Sequence, residues 1–136
     1  MYETFAHTAD LGLRIRAPSL DSLFAEAGEA LMSIILDDPT TIEPREAWQV
    51  QIEGDDLAYL LVDWLNALLY RFDVGHRVYR RFQVQVTPGG LSASAWGEPL
   101  DPARHRLQRE VKAITYHGLR VEPTEAGWLA EVIVDI

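Results

Sequence analysis

Cysteine is absent from the 136-residue chain, which excludes disulfides, thiolate metal sites and cysteine nucleophiles and fits a reducing compartment. No run approaches the roughly 20 apolar residues that a bilayer crossing needs. The start, Met1-Tyr2-Glu3-Thr4-Phe5, has neither the basic flank nor the apolar core of a signal peptide. A cytoplasmic protein without membrane contact is expected. Phosphate-cradling glycine loops, His-Glu-x-x-His and Gly-x-Ser-x-Gly are all missing, so no motif supports an enzyme assignment. Linkers, repeats and low-complexity tracts are missing too, and residues 1–136 read as one domain. Positive charge is scarce: 12 Lys and Arg stand against 21 Asp and Glu, a formal net charge of −9. Such a chain is unsuited to gripping nucleic acid by its own field. It can work beside nucleic acid if a basic partner holds the polymer, and it can concentrate divalent cations.

Scarcest among the cations is lysine. Lys112 is the only one, set in Val111-Lys112-Ala113-Ile114-Thr115-Tyr116-His117, and the other eleven positive side chains are arginines. An ammonium is a compact point charge where guanidinium is a wide fork, so its retention in an apolar run suggests a specific use. The plainer reading is a solvated strand lysine. Two carboxylates sit in comparably odd places. Asp10 ends Ala6-His7-Thr8-Ala9-Asp10, and Asp135 is penultimate in Val132-Ile133-Val134-Asp135-Ile136.

Leu11 to Arg16 alternates with the period of a half-buried strand. Ser19 is a plausible N-cap with Asp21 in the first turn. Leu20, Leu23, Phe24, Ala27, Leu31, Ile34 and Ile35 then recur at helical spacing up to a stop before Pro39. Trp48, Val50 and Ile52 alternate as a strand closed by Gly54. Asp55 or Asp56 caps a second helix, whose stripe runs Leu57, Leu60, Leu61, Trp64, Leu65, Leu68, Leu69 and Phe72. Beyond Gly75, Val78 to Val86 and Leu91 to Trp96 flank a hairpin turn at Pro88-Gly89-Gly90. Asp101 to Gln108 reads as a loop. Glu110 to Tyr116, Leu119 to Glu122 and Trp128 to Asp135 read as terminal strands. The expectation is an α+β fold of two layers, with two amphipathic helices on one face of a largely antiparallel or mixed sheet of about seven strands.

If the first and last strands pair, Asp10 and Asp135 meet. Two carboxylates alone repel and raise one pKa, whereas a divalent cation between them removes that penalty. Oxygen-only ligation suits calcium, magnesium or manganese, with water, a backbone carbonyl or the terminal oxygens of Ile136 completing the sphere. The alternative makes Asp10 a turn or cap residue and Asp135 a solvated tail. His7 and His117 each end a strand-like segment and are candidate ligands or acid/base groups, or hydrogen-bonded structural residues. Arginines gather at Arg77-Arg80-Arg81 and at Arg104-Arg106-Arg109, either as docking patches for a phosphate or acidic surface or as solvated faces. Asp37-Asp38 near a helix C-terminus opposes the helix dipole.

Four segments, His7-Thr8-Ala9-Asp10-Leu11-Gly12, the helix Leu60 to Tyr70, Val111 to His117 and the ending Val132 to Ile136, resemble the archease family in order and across essentially the whole chain. The resemblance implies a non-catalytic accessory protein of the RtcB-type RNA ligase, which joins RNA ends in transfer RNA splicing and RNA repair through a guanylylated histidine. It implies promotion of that guanylylation and of multiple turnover, with RNA met only through the ligase. It also implies metal binding by Asp10, Asp135 and Ile136, calcium first with magnesium or manganese as alternatives, and a functionally required Lys112. Other classes consistent with the residues are a stand-alone metal-dependent phosphatase or nuclease and a chaperone-like binding module.

Overall fold

Leu20 to Ile35 form α1 because the apolar positions fall on one side and the ends are closed. The Ser19 hydroxyl accepts from the Ser22 N–H at 3.1 Å, and Ser22 Oγ accepts in return from the Ser19 N–H at 3.3 Å. Asp21, in the first turn, also accepts the Val86 N–H at 2.8 Å and so ties the helix start to a distant strand. Asp56 rather than Asp55 caps α2, Leu57–Asp73, through the Tyr59 N–H. Asp38 caps a short 3-10 turn, Pro39–Thr41, accepting from both the N–H and the hydroxyl of Thr40. Those bonds hold its carboxyl below the usual range, and they give a local role to a residue that the dipole of α1 disfavours.

The computed structural model describes residues 1–7 and 10–136. Its strands are β1 (Tyr2–His7), β2 (Asp10–Ala17), β3 (Glu46–Glu53), β4 (Arg77–Thr87), β5 (Gly90–Pro99), β6 (Ala113–Ile114), β7 (Arg120–Thr124) and β8 (Gly127–Asp135). The α+β class holds, with two corrections. Eight strands rather than about seven occur among the described residues, and they form two antiparallel sheets rather than one. One runs β1-β2-β8-β6 with β7 also on β8; the other runs β3-β5-β4. The long β4–β5 hairpin takes β3 on its free edge, while the last strand, β8, pairs with the second, β2, rather than with the first, β1, which lies on the other side of β2. Alternation tells which face of a strand is buried, but not which strand lies beside it. The strand expected over Glu110 to Tyr116 shrinks to Ala113–Ile114, because only those two residues keep a regular register with β8.

Each sheet turns one face to the helices. Leu13 and Ile15 from β2, Val132 and Val134 from β8, and Ala95 from β5 are fully buried with Phe24, Leu31, Trp64 and Leu68 of the helices. α1 packs on both sheets. Gly28 permits that approach: a Cβ there would lie 2.8 Å from the Phe82 ring of β4.

Candidate functional site

The antiparallel register brings the two odd carboxylates together. His7 is the register partner of Asp10, Asp10 that of Asp135, and Asp135 that of Ala113. One row therefore crosses β1, β2, β8 and β6 at the end of the larger sheet. Directly opposed residues share a face, with Cβ atoms about 4.5–5.5 Å apart, so the side chains of Asp10 and Asp135 emerge side by side. Both are half-buried. The main-chain N–H of Lys112 donates to the Asp135 carbonyl at 2.8 Å, and its side chain is exposed. Ile136 follows Asp135 directly and is half-buried. Opposite ends of the chain and the main chain of the single lysine thus meet at one tip.

Gly12 accounts for part of the local sequence. Phe5, its register partner, lies across it so closely that a Cβ at Gly12 would fall 2.2 Å from the ring. The Arg14 guanidinium sits 4.7 Å from the centre of the same ring. Arg14 also donates to Glu131 at 3.0 Å and to Glu3 at 3.3 Å, and Arg120 donates to Glu131 at 2.6 Å. Burial pushes the Glu131 carboxyl up, but the bonds from Arg120 and Arg14 outweigh it and hold the group below its ordinary value. The face behind the tip is therefore an ion-paired ladder, and the two aspartates stand at its end.

Other expectations are placed differently. The His7 side chain lies outside the described residues. His117 is not in the row; it lies in the connection from β6 to β7, where its N–H donates to Thr115 Oγ1 at 3.3 Å. The first arginine group is spent on internal partners, whereas in the second Arg106 and Arg109 are exposed. Arg77 pairs with Glu46 at 2.8 Å, Arg80 donates to the Thr40 carbonyl at 3.0 Å, and Arg81 stacks 4.3 Å over Trp96.

Arg104 belongs to a cluster that the sequence did not disclose. Glu98 and His105 are buried, 3% and 1% exposed. Glu98 accepts two bonds from Arg104, at 2.8 and 3.0 Å, one from the Glu43 N–H at 2.7 Å and one from His105 Nε2 at 2.9 Å. The Asp101 N–H donates to His105 Nδ1 at 2.8 Å, which makes Nδ1 the unprotonated nitrogen and Nε2–H the donor to Glu98. The available signal was a glutamate in an alternating strand with a histidine seven residues on, and it is weak. A trough of about 580 Å³ on the smaller sheet is lined by Gln49, Gln51, Gln83, Gln85, Ser92 and Ser94, with no ionisable group among them.

Among the described residues, no helix is long and apolar enough to cross a membrane. The family model for the Archease protein family matches residues 2–136. "Protein archease" of Pyrococcus abyssi is 39% identical over 140 residues, covering 99% of this chain and 98% of that protein. The Methanopyrus kandleri archease is 37% identical over 139 residues and 99% of each chain. The solution structure of Methanobacterium thermoautotrophicum protein 1598 superposes with a TM-score of 0.77 at 28% identity, covering 99% of this chain and 98% of that one. A Thermotoga maritima crystal structure, described as an archease and possible chaperone, gives a TM-score of 0.67 at 20% identity, over 100% and 98% of the two chains. The last likeness shows the fold alone.

Proposed function

The chain belongs to the archease family, and on that footing we propose that it is a non-catalytic, metal-binding activator of an RtcB-type RNA ligase. The observation that carries this reading is the tip row, in which Asp10 opposes Asp135 and Lys112 is bonded through its main chain to Asp135. The donor chemistry fits a hard divalent cation: two adjacent carboxylates, with main-chain oxygens of Ile136 beside them, suit calcium, magnesium or manganese. The donor set is also sparse. Among the described residues no group of three or more His, Asp and Glu side chains gathers around a common point. A sparse set suits an ion that keeps coordination open for a phosphate oxygen better than a closed structural cage.

In this reading Asp10 and Asp135 hold the cation at an exposed edge, and Lys112 supplies a second positive charge toward a nucleotide phosphate or fixes the carboxylates. A bound cation there would stabilise charge on a transferring phosphoryl group. The protein contributes no nucleophile. The acidic surface is no obstacle, because RNA is held by the ligase, whether in transfer RNA splicing or in RNA repair.

Stimulation of ligase guanylylation by Asp10→Asn, Asp135→Asn and Lys112→Ala is expected to fall roughly a hundredfold, the scale seen when a preorganised electrostatic contact is lost. Assaying GTP transfer to the ligase and RNA joining with limiting enzyme would check it. Wild-type stimulation by all three folded variants would end the mechanism. Phosphate-ester turnover by the chain alone would instead establish a phosphatase or nuclease. Aggregation suppression indifferent to the aspartates would favour the chaperone role named for the Thermotoga relative.

Calcium, magnesium or manganese should raise Tm of the wild-type protein, because a ligand that binds only the native state stabilises it by mass action. The rise should vanish in Asp10→Asn and Asp135→Asn. Equal shifts in all three proteins would place the cation elsewhere.

A further inference from the structure

Every exposed residue of α2 is one of Tyr59, Asp63, Asn66, Tyr70 and Asp73. Steps of four, three, four and three residues place them on a single stripe, and at 1.5 Å per residue Tyr59 and Tyr70 stand about 16 Å apart. The opposite side of α2, with Leu61, Trp64 and Leu68, is core. A helix face left to water is ordinarily charged and polar. This one has no cation and two tyrosines, 58% and 64% exposed. Tyr116, 59% exposed, comes from the connection after β6 and packs edge-on against Tyr59, with ring centroids 5.5 Å apart and planes at 74°. The aromatic surface thus runs from α2 into the segment that begins at Ala113, the register partner of Asp135.

Burial does not explain these rings, since the core is complete without them. Tyrosine supplies a large amphipathic contact area on a stiff side chain, which is why it concentrates at binding hot spots. Asp63 and Asp73 flank the rings with negative charge, which favours cationic side chains on the facing surface and speeds encounter.

We propose that the stripe of Tyr59, Asp63, Asn66, Tyr70 and Asp73, extended by Tyr116, is a docking surface for a protein partner with a basic, arginine-bearing face. Arginine suits it twice, stacking on the rings and forking to the carboxylates. The occupant is the RNA ligase, so this inference rests on the functional reading above. An enzyme that holds RNA must present cations, and this chain has a net charge of −9. Docking along α2 and Tyr116 sets the partner beside the strand that leads to Lys112 and the tip.

The test is calorimetric titration of the ligase from the same cell with the full chain, as wild type, as Tyr59→Ala/Tyr70→Ala, as Asp63→Lys, and as Gln83→Ala for a control on the other sheet. The double tyrosine variant should keep its far-UV spectrum and Tm yet bind about ten- to thirtyfold more weakly, the loss of a hot spot. Saturating concentrations should recover full guanylylation, because the tip is intact. Asp63→Lys should weaken binding and reduce its salt dependence, and Gln83→Ala should bind as wild type. Unchanged affinity in the tyrosine and Asp63 variants overturns the surface and leaves the functional reading standing. Failure of the wild type to bind overturns that reading and the surface with it. A chain that dimerises alone, and loses its dimer in the tyrosine variant, assigns the stripe to a second copy and overturns the proposal.

Discussion

Trp64→Ala should destabilise the protein by about 3–5 kcal/mol, among the largest effects available to a single core substitution. Trp64 is fully buried. Its ring lies parallel to Trp48 of β3, with centroids 6.4 Å apart, and edge-on to Phe82 of β4 at 6.2 Å. Its Nε1–H donates to the Phe24 carbonyl of α1 at 2.9 Å. One side chain of α2 therefore fastens the smaller sheet and the other helix. Trp64→Phe separates the contributions: it keeps most of the apolar contact and loses the hydrogen bond, for an expected loss of about 1–2 kcal/mol. Urea unfolding at 25 °C measures both, with the m-value expected to stay constant. A loss under 1 kcal/mol for the alanine variant would mean that the smaller sheet and α1 do not depend on this contact.

Trp64 also shows what was legible in the sequence and why. Its position follows from the helical period of Leu57 to Phe72 and from a capping aspartate just before it, both properties of a short stretch of chain. The same holds for α1 and for the hairpin at Pro88-Gly89-Gly90. Alternation marks the strands that carry Asp10 and Asp135 without fixing their partners; it is the antiparallel register of the folded chain that sets the two aspartates opposite each other. The division into two sheets could not be read, because β3 pairs with a strand whose partner residues lie 37 to 51 positions further on, from Glu53↔Gly90 to Glu46↔Gly97. The tyrosine stripe escaped for a related reason. Tyr59 and Tyr70 are ordinary helix residues in sequence, and only their exposure beside Tyr116 makes them unusual. The burial of Glu98 depends on Glu43 and on the turn that carries Arg104 and His105, segments approaching from both directions along the chain.

Glu98 is the second residue whose loss should be severe. All four of its bonds are received: from Arg104 twice, from the Glu43 N–H and from His105 Nε2. A buried group surrounded only by donors must be an ionised carboxylate. Arg104 is the leading cause that draws its pKa from the ordinary 4.5 to about 2, against the opposing effect of burial and with help from Glu43 and His105. Glutamine is a poor substitute, since its NH₂ would face donors. Alanine would leave the buried His105 Nε2–H and the part-buried Glu43 N–H without an acceptor, while the half-exposed Arg104 could rehydrate. Glu98→Ala is expected to cost about 2–4 kcal/mol at neutral pH, somewhat below the full penalty for breaking a buried pair because one partner can reach water. The sign with pH follows from the depressed pKa. The stabilisation from Glu98 is complete above about pH 4.5, the unfolded value, and is lost as pH falls toward 2, where the native carboxyl takes a proton. The difference in unfolding free energy between wild type and Glu98→Ala should therefore be constant from pH 7 to 5 and shrink between 4.5 and 2. A difference that stays level through that acid range would show that the carboxylate charge is not what anchors the turn.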